Sequence, residues 1–105
     1  MTKQEIDNLI KNKLGVMLYF SGESCSVCSV LKPKIDTIFK ESFPKIERVY
    51  IQSEENQKLC ADFGVFSVPT VLVFLDGREF MRKSRNISLS QMENDLSRLY
   101  NMLEG

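Results

Sequence analysis

Two cysteines, Cys25 and Cys28, are the side chains whose types and spacing most clearly indicate chemistry in this chain. Thiols at this spacing can interconvert with a disulfide, and the pair lies between an apolar run at residues 16–20 and a segment with helical apolar periodicity. The unpaired N–H groups and the positive dipole end at a helix start favour a thiolate over a thiol. We therefore predict that Cys25 is the attacking sulfur and that Cys28 resolves a mixed disulfide.

Other interpretations of these cysteines stay open at this point. The pair could be half of a zinc site, but structural zinc usually takes four Cys or His ligands. The chain has no histidine and one further cysteine, Cys60, so no metal site is predicted. The pair could also be two unreactive core thiols. Cys60 is interpreted as a passive, partly buried core residue, with a regulatory thiol as the alternative.

Size and charge limit the classes of function. A length of 105 residues predicts one domain over residues 1–105. Fourteen basic and fourteen acidic side chains cancel, which argues against nucleic acid or an anionic membrane as a partner. The longest apolar run, residues 15–20, is too short to span a bilayer, and residues 1–13 are too polar for a signal peptide. We therefore expect a cytoplasmic protein, in which a close cysteine pair is more often catalytic or metal-binding than structural.

The apolar spacing alternates between helix and strand periods, which predicts an α/β fold with the element order αβαβαββα. The dipeptide Asp76-Gly77 predicts a tight hairpin between the last two strands. The predicted strands cover residues 16–20, 46–51, 71–75 and 79–83.

The helices have polar caps and apolar faces. In the second helix, the apolar side chains of Val27 and Val30 are expected to surround Cys28 and bury it. The predicted end residues are Thr2 with Glu5 as a capping box on the first helix, Ser53 and Gly64 at the two ends of a short third helix, and Ser88 or Ser90 at the start of the last.

Several landmarks give the chain a resemblance to the thioredoxin family. They are Tyr19-Phe20 at the end of a strand, Cys25-x-x-Cys28, Pro33, Phe63-Gly64-Val65, Ser67-Val68-Pro69-Thr70 and Phe74-x-Asp76-Gly77. The resemblance implies a thioredoxin-like fold, in which helices flank a central mixed β-sheet of about four strands. It also implies that Pro69 follows a cis bond and lies against the redox pair, and that partner peptides lie across Val68.

Near the predicted site the chain departs from the family it resembles. Ser24 and Ser21 stand where the family usually has tryptophans. Tyr19 replaces a buried acid that is thought to deprotonate the resolving thiol, and a phenol with a pKa of about 10 is a poor base at pH 7. We therefore expect slower resolution, or proton transfer through Glu23 or water. Arg85 replaces a glycine beside the substrate groove, and its charge predicts a narrower, acid-preferring set of partners.

These features predict a thiol-disulfide oxidoreductase that reduces or exchanges protein disulfides and needs no bound cofactor. Electrons would come from a thioredoxin-reductase-like flavoprotein or another thiol donor, and we expect a monomer. The alternative is a redox-gated protein-binding module with the same fold and little turnover. The resemblance and the departures imply substrate contacts at Ser24, Val68, Pro69 and Arg85, catalysis at Cys25 and Cys28, and possible proton transfer at Glu23 or Tyr19.

Overall fold

The computed structural model describes residues 1–104, and its elements follow the order predicted from the sequence. A short 3-10 helix, Ser53–Glu55, is an addition to that order. The helices and strands are α1 (Lys3–Asn12), β1 (Gly15–Ser21), α2 (Ser26–Ser42), β2 (Ile46–Gln52), α3 (Gln57–Asp62), β3 (Thr70–Leu75), β4 (Arg78–Ser84) and α4 (Leu89–Glu104).

Within residues 1–104 the four strands form one mixed sheet in the order β2-β1-β3-β4. Strand β1 pairs parallel with β2 and antiparallel with β3, and β3 pairs antiparallel with β4. Because β1 has a strand on each side and helices over both faces, residues 15–20 are all buried, which explains their continuous apolar run. The predicted mixed sheet of four strands is therefore confirmed.

Alternate side chains of β1 enter two separate cores, one on each face of the sheet. On one face Met17 and Tyr19 pack with the helices α2 and α4, through Ile35, Phe39, Met92, Leu96 and Tyr100. On the other face Val16, Leu18 and Phe20 pack with α1 and α3, through Ile6, Leu59 and Cys60. The chain leaves β1 at Ser21 and enters α2 at Ser26, so elements anchored in these cores hold both ends of the loop that carries Cys25.

The helix ends test the predicted caps. The capping box is confirmed, because the Glu5 N–H donates to Thr2 Oγ1 at 3.1 Å and the Thr2 N–H donates to Glu5 Oε1 at 2.8 Å. Of the two candidates for α4, Ser88 is the cap, since its Oγ accepts the Gln91 N–H at 3.3 Å. Gly64, at a φ of 68°, follows the end of α3 as predicted.

The prediction that Ser53 caps the third helix is wrong. Ser53 begins the 3-10 helix, and α3 begins four residues later at Gln57. Between them, the Asn56 side-chain amide donates to the Gln52 carbonyl oxygen at 2.8 Å, while the Asn56 N–H donates to the Ser53 carbonyl oxygen at 3.1 Å. These local bonds compete with a continuous helix and divide the segment into two turns.

The hairpin between β3 and β4 is confirmed. Asp76 and Gly77 have φ values of 52° and 79°, the left-handed pair that a two-residue turn of the primed type requires. Within residues 1–104, no helix is both long enough and apolar enough to cross a membrane.

Candidate active site

Cys25 and Cys28 are joined by a disulfide at the N-terminus of α2, with their Cα atoms 5.2 Å apart. Cys25 is the N-cap residue of this helix, and its Sγ accepts the Cys28 N–H at 3.1 Å. The Cys25 N–H donates to the Gly22 carbonyl oxygen at 3.2 Å, and the Cys25 carbonyl oxygen accepts the Ser29 N–H at 3.3 Å. The helix start therefore directs a backbone donor at the Cys25 sulfur, where negative charge would develop on reduction.

The two sulfurs differ in exposure, as predicted. Cys25 is partly exposed, whereas Cys28 is only 2% exposed. The predicted cause is wrong, however, because Val27 and Val30 are 58% and 61% exposed and face solvent. The core-facing stripe of α2 instead follows the 3- and 4-residue steps from Cys28 through Leu31 and Ile35 to Phe39.

Tyr19 lies beneath the redox motif, fully buried in β1. Its hydroxyl donates to the Cys28 carbonyl oxygen at 2.8 Å, and its ring packs edge-on against Tyr50 at a centroid distance of 6.1 Å. Burial raises the pKa of the Tyr19 hydroxyl above its usual value of 10.0. The structure therefore brings Tyr19 to the backbone of Cys28, where its hydroxyl keeps its proton and donates it in a hydrogen bond to the carbonyl oxygen. A proton-transfer role for this residue stays a prediction.

Tyr50, the neighbour of Tyr19, gives a testable pH dependence. Burial, followed by a hydrogen bond that its hydroxyl donates to Asp36, raises the pKa of Tyr50 above its usual value of 10.0. Above about pH 10 the unfolded tyrosine releases its proton while the folded one retains it, so the free energy of unfolding falls by up to about 1.4 kcal/mol per pH unit from this group. Urea denaturation from pH 8 to 11.5 should show this fall in the wild type relative to Tyr50→Phe. Parallel curves for the two proteins would contradict the prediction.

The loop before β3 carries Val68 and Pro69, and the peptide bond between them is cis, as the family resemblance implies. Pro69 is buried and Val68 is partly exposed. The Pro69 carbonyl oxygen accepts the Arg85 N–H at 2.8 Å, and Thr70 Oγ1 donates to the Ser67 carbonyl oxygen at 2.7 Å. Two hydrogen bonds therefore hold the loop on either side of the cis bond.

Gly22 marks the place where this loop meets the redox motif. A Cβ added at Gly22 would lie 3.2 Å from Val68 Cγ2, 3.2 Å from Glu54 Oε2 and 3.7 Å from Cys25 Cβ. The absence of a side chain there lets the three residues converge. The structure thus brings Val68 beside Cys25, two of the residues selected from the sequence.

Ser24 and Glu23 are both exposed in the loop that precedes Cys25. The Glu23 N–H donates to both carboxylate oxygens of Glu54, at 3.0 and 3.2 Å, and the Gln52 side-chain amide donates to the same carboxylate at 3.1 Å. The Glu54 carboxylate therefore anchors the loop that precedes Cys25 by binding the backbone N–H of Glu23. Sequence reasoning missed this contact, because Glu54 fits equally well as an ordinary acid in the first turn of a helix.

Arg85 has a φ of 62° and lies at the end of β4. It lines a groove of about 400 Å³ together with Val27 and Leu31 of α2 and residues 86–88. The structure therefore places Arg85 on the same groove as Val27, one of the two residues between the cysteines, so its positive charge lies beside the redox motif.

The left-handed backbone of Arg85 predicts that Arg85→Gly is stabilising. An L-residue in this conformation is strained by about 1–2 kcal/mol, and glycine is free of that strain but loses more chain entropy on folding. We expect the free energy of unfolding to rise by about 0.5–1 kcal/mol, measured by urea denaturation. Arg78→Gly is the matched control, because Arg78 is an exposed arginine within β4, the strand that Arg85 directly follows, and glycine weakens strands. A gain in the control, or none at Arg85, would contradict this explanation.

Cys60 is buried, with 8% exposure, in the core beneath α3, in accord with its interpretation as a core residue. Among residues 1–104 there is no group of three or more His, Cys, Asp or Glu side chains that could hold a metal ion. The two cysteines that the zinc interpretation would use as ligands, Cys25 and Cys28, are bonded to each other.

Comparisons with known proteins agree with this geometry. A family model described as Thioredoxin matches residues 1–98. A thioredoxin-like protein, YdfQ of Bacillus subtilis, is 34% identical over 95% of this chain and 88% of its own length, and a thioredoxin of Rickettsia prowazekii is 33% identical over 81% and 78%. The solved structure of thioredoxin 1 from Thermosipho africanus is 34% identical and superposes with a TM-score of 0.76 over 86% of this chain and 99% of that one. The chain therefore belongs to the thioredoxin family of thiol-disulfide oxidoreductases.

Proposed function

We propose that this protein reduces or exchanges disulfide bonds in other proteins through the Cys25–Cys28 couple. The observation that carries the proposal is the pair itself, bonded across the first turn of α2 with the Cys28 N–H on the Cys25 sulfur at 3.1 Å. A partly exposed first sulfur and a buried second one suit an attack from Cys25 and an internal resolution by Cys28.

The proposed cycle balances in electrons and protons. The Cys25 thiolate attacks one sulfur of a partner's disulfide, and the partner's other sulfur leaves as a thiolate that takes up a proton. Cys28 loses its proton and attacks the Cys25 sulfur, which re-forms the bond between them and releases the partner's second thiol. A thioredoxin-reductase-like flavoprotein, or another thiol donor, then returns two electrons to the pair, and Cys28 takes up one proton from solvent, which restores the Cys25 thiolate and the Cys28 thiol. The cysteines carry these electrons themselves, so the step needs no bound cofactor.

The partner's polypeptide is proposed to lie along Val68 and Pro69 on one side of the disulfide, with Ser24 and Arg85 as further contacts. Val68 is partly exposed and converges on Cys25 around Gly22, which supports this route.

Arg85 adds a positive charge at the rim of the groove it shares with Val27, so disulfides flanked by acidic residues should be preferred. Arg85→Gly should remove that preference, and equal turnover of acidic and neutral peptides by both proteins would contradict it. The protein is proposed to act as a cytoplasmic monomer.

Insulin reduction in dithiothreitol tests the proposal, since the protein should accelerate it well beyond dithiothreitol alone. In parallel, the Cys60→Ser background is equilibrated in dithiothreitol and glutathione buffers. A reversible two-electron couple near about −270 mV fits a reductant, and a value of about −200 mV or above fits a more oxidising role. A reversible couple without insulin turnover would favour the redox-gated binding module, and the lack of any couple would contradict both functions.

A further inference from the structure

The Glu54 carboxylate is held in one place beside the loop that leads to Cys25. Its two oxygens accept the Glu23 N–H at 3.0 and 3.2 Å, and one of them also accepts the Gln52 side-chain amide at 3.1 Å. Glu54 itself lies in the 3-10 helix that directly follows β2, so the sheet fixes the backbone on which it stands. These hydrogen bonds keep a negative charge at a defined place near the redox pair.

The contacts around Gly22 show how near this charge lies to Cys25. The Cβ that a side chain at Gly22 would carry lies 3.2 Å from Glu54 Oε2 and 3.7 Å from Cys25 Cβ. The carboxylate oxygen and Cys25 Cβ are therefore no more than about 7 Å apart, which is less than the distance of about 8–10 Å over which physiological salt screens a charge. The Glu54 charge thus acts on the sulfur of Cys25.

This charge affects the reduced form of the pair more than the oxidised form. A disulfide carries no net charge, whereas two electrons and one proton convert it to a Cys25 thiolate and a Cys28 thiol. The Cys28 N–H, which donates to Cys25 Sγ at 3.1 Å, favours that thiolate, and a nearby carboxylate opposes it. Destabilising the reduced form makes the pair give up its electrons more readily.

We propose that Glu54 makes the redox couple more reducing, because it holds a negative charge beside the Cys25 thiolate. The inference rests on the proposed function and deepens it by assigning a residue that regulates the direction of electron transfer at the same site. Glu54 does not touch the reacting atoms and acts only through its charge and its place. Two unit charges about 7 Å apart in water change an equilibrium about threefold, so we expect an effect of about two- to fivefold.

The other charges near the motif stay constant in a comparison of variants at this one position. Glu23 is exposed in the same loop, and Arg85 lies on the groove that it shares with Val27. Glu54→Gln removes one charge and keeps an amide oxygen that can accept the Glu23 N–H. Glu55→Gln is the matched control, because Glu55 is an exposed glutamate of the same 3-10 helix, whereas the carboxylate bound to the loop before Cys25 is that of Glu54.

Equilibration with glutathione buffers at pH 7 and low salt, in the Cys60→Ser background, tests the inference. The equilibrium constant for oxidation of the pair by glutathione disulfide should fall about two- to fivefold in Glu54→Gln, which is a rise in potential of about 10–20 mV at 29.6 mV per tenfold. Glu55→Gln should stay within about 1.5-fold of the background.

High salt separates the effect of the charge from a change in the loop. In 1 M salt, which screens charges over about 3 Å, the difference between Glu54→Gln and the background should shrink to less than about 1.5-fold. Equal constants at low salt, or a difference that 1 M salt leaves unchanged, would overturn the inference. An equal shift in Glu55→Gln would overturn it too.

The rate at which iodoacetamide alkylates Cys25 in the reduced proteins, followed from pH 5 to 10, separates this inference from the proposed function. The midpoint of this curve should lie about 0.3–0.7 pH unit lower in Glu54→Gln, the same two- to fivefold change, and it requires neither a partner nor a reversible couple. A lower midpoint without insulin turnover would support the role of Glu54 and contradict the oxidoreductase proposal. Turnover with equal midpoints and equal potentials would contradict the role of Glu54 alone.

Discussion

The Cys25→Ser variant is expected to lose disulfide-reducing turnover by about a thousandfold or more, because a hydroxyl at this position cannot supply the thiolate that attacks the partner. Cys25 is the partly exposed sulfur, and it receives the Cys28 N–H at 3.1 Å at the N-terminus of α2. Cys28, at 2% exposure, is poorly accessible to a partner's disulfide. The measurement is insulin reduction with dithiothreitol as the electron source.

Two further cysteine variants give this result its controls. Cys60→Ser should retain turnover within about twofold, because Cys60 lies in the core under α3 and takes no part in the exchange. Cys28→Ser should form a stable mixed disulfide with a partner, detectable by mass spectrometry, since the resolving thiol is missing. Trapping by Cys25→Ser in place of Cys28→Ser would reverse the two roles.

The features that could be predicted from the sequence are those in which local preference and tertiary packing agree. The run at residues 15–20 is buried because β1 is central in the sheet. Asp76-Gly77 adopts a left-handed turn because aspartate and glycine tolerate that backbone conformation well. The reactive pair could be located because a strand, a loop and a helix start surround it. At these positions, neighbours in sequence determine most of the structure.

The residues that escaped prediction depend on contacts between distant segments. Glu54 reaches the Glu23 N–H across 31 residues of sequence, a pairing that no local pattern encodes. Val27 and Val30 are apolar, and their type and spacing predict that they surround Cys28, yet the rotation of α2 over the sheet turns them to solvent.

Tyr19 is where the core and the redox site meet, and substitutions there should separate packing from chemistry. Tyr19→Ala should lower the free energy of unfolding by about 3–5 kcal/mol, because it leaves a cavity where a fully buried ring packs against Tyr50. Tyr19→Phe retains the ring and loses only the hydrogen bond to the Cys28 carbonyl oxygen, which should cost about 1 kcal/mol. Urea denaturation at pH 7 measures both changes.

The same Tyr19→Phe variant tests proton transfer during resolution of the mixed disulfide. A phenol whose pKa is raised by burial is a poor base at neutral pH, and its proton is engaged with the Cys28 carbonyl oxygen. We therefore expect the resolution rate of Tyr19→Phe to stay within about twofold of the wild type from pH 6 to 9. Glu23→Gln should slow resolution over this range if Glu23 accepts the proton, and an unchanged rate would leave the step to water. A large loss in Tyr19→Phe with little loss of stability would instead show that the buried hydroxyl takes part in the chemistry.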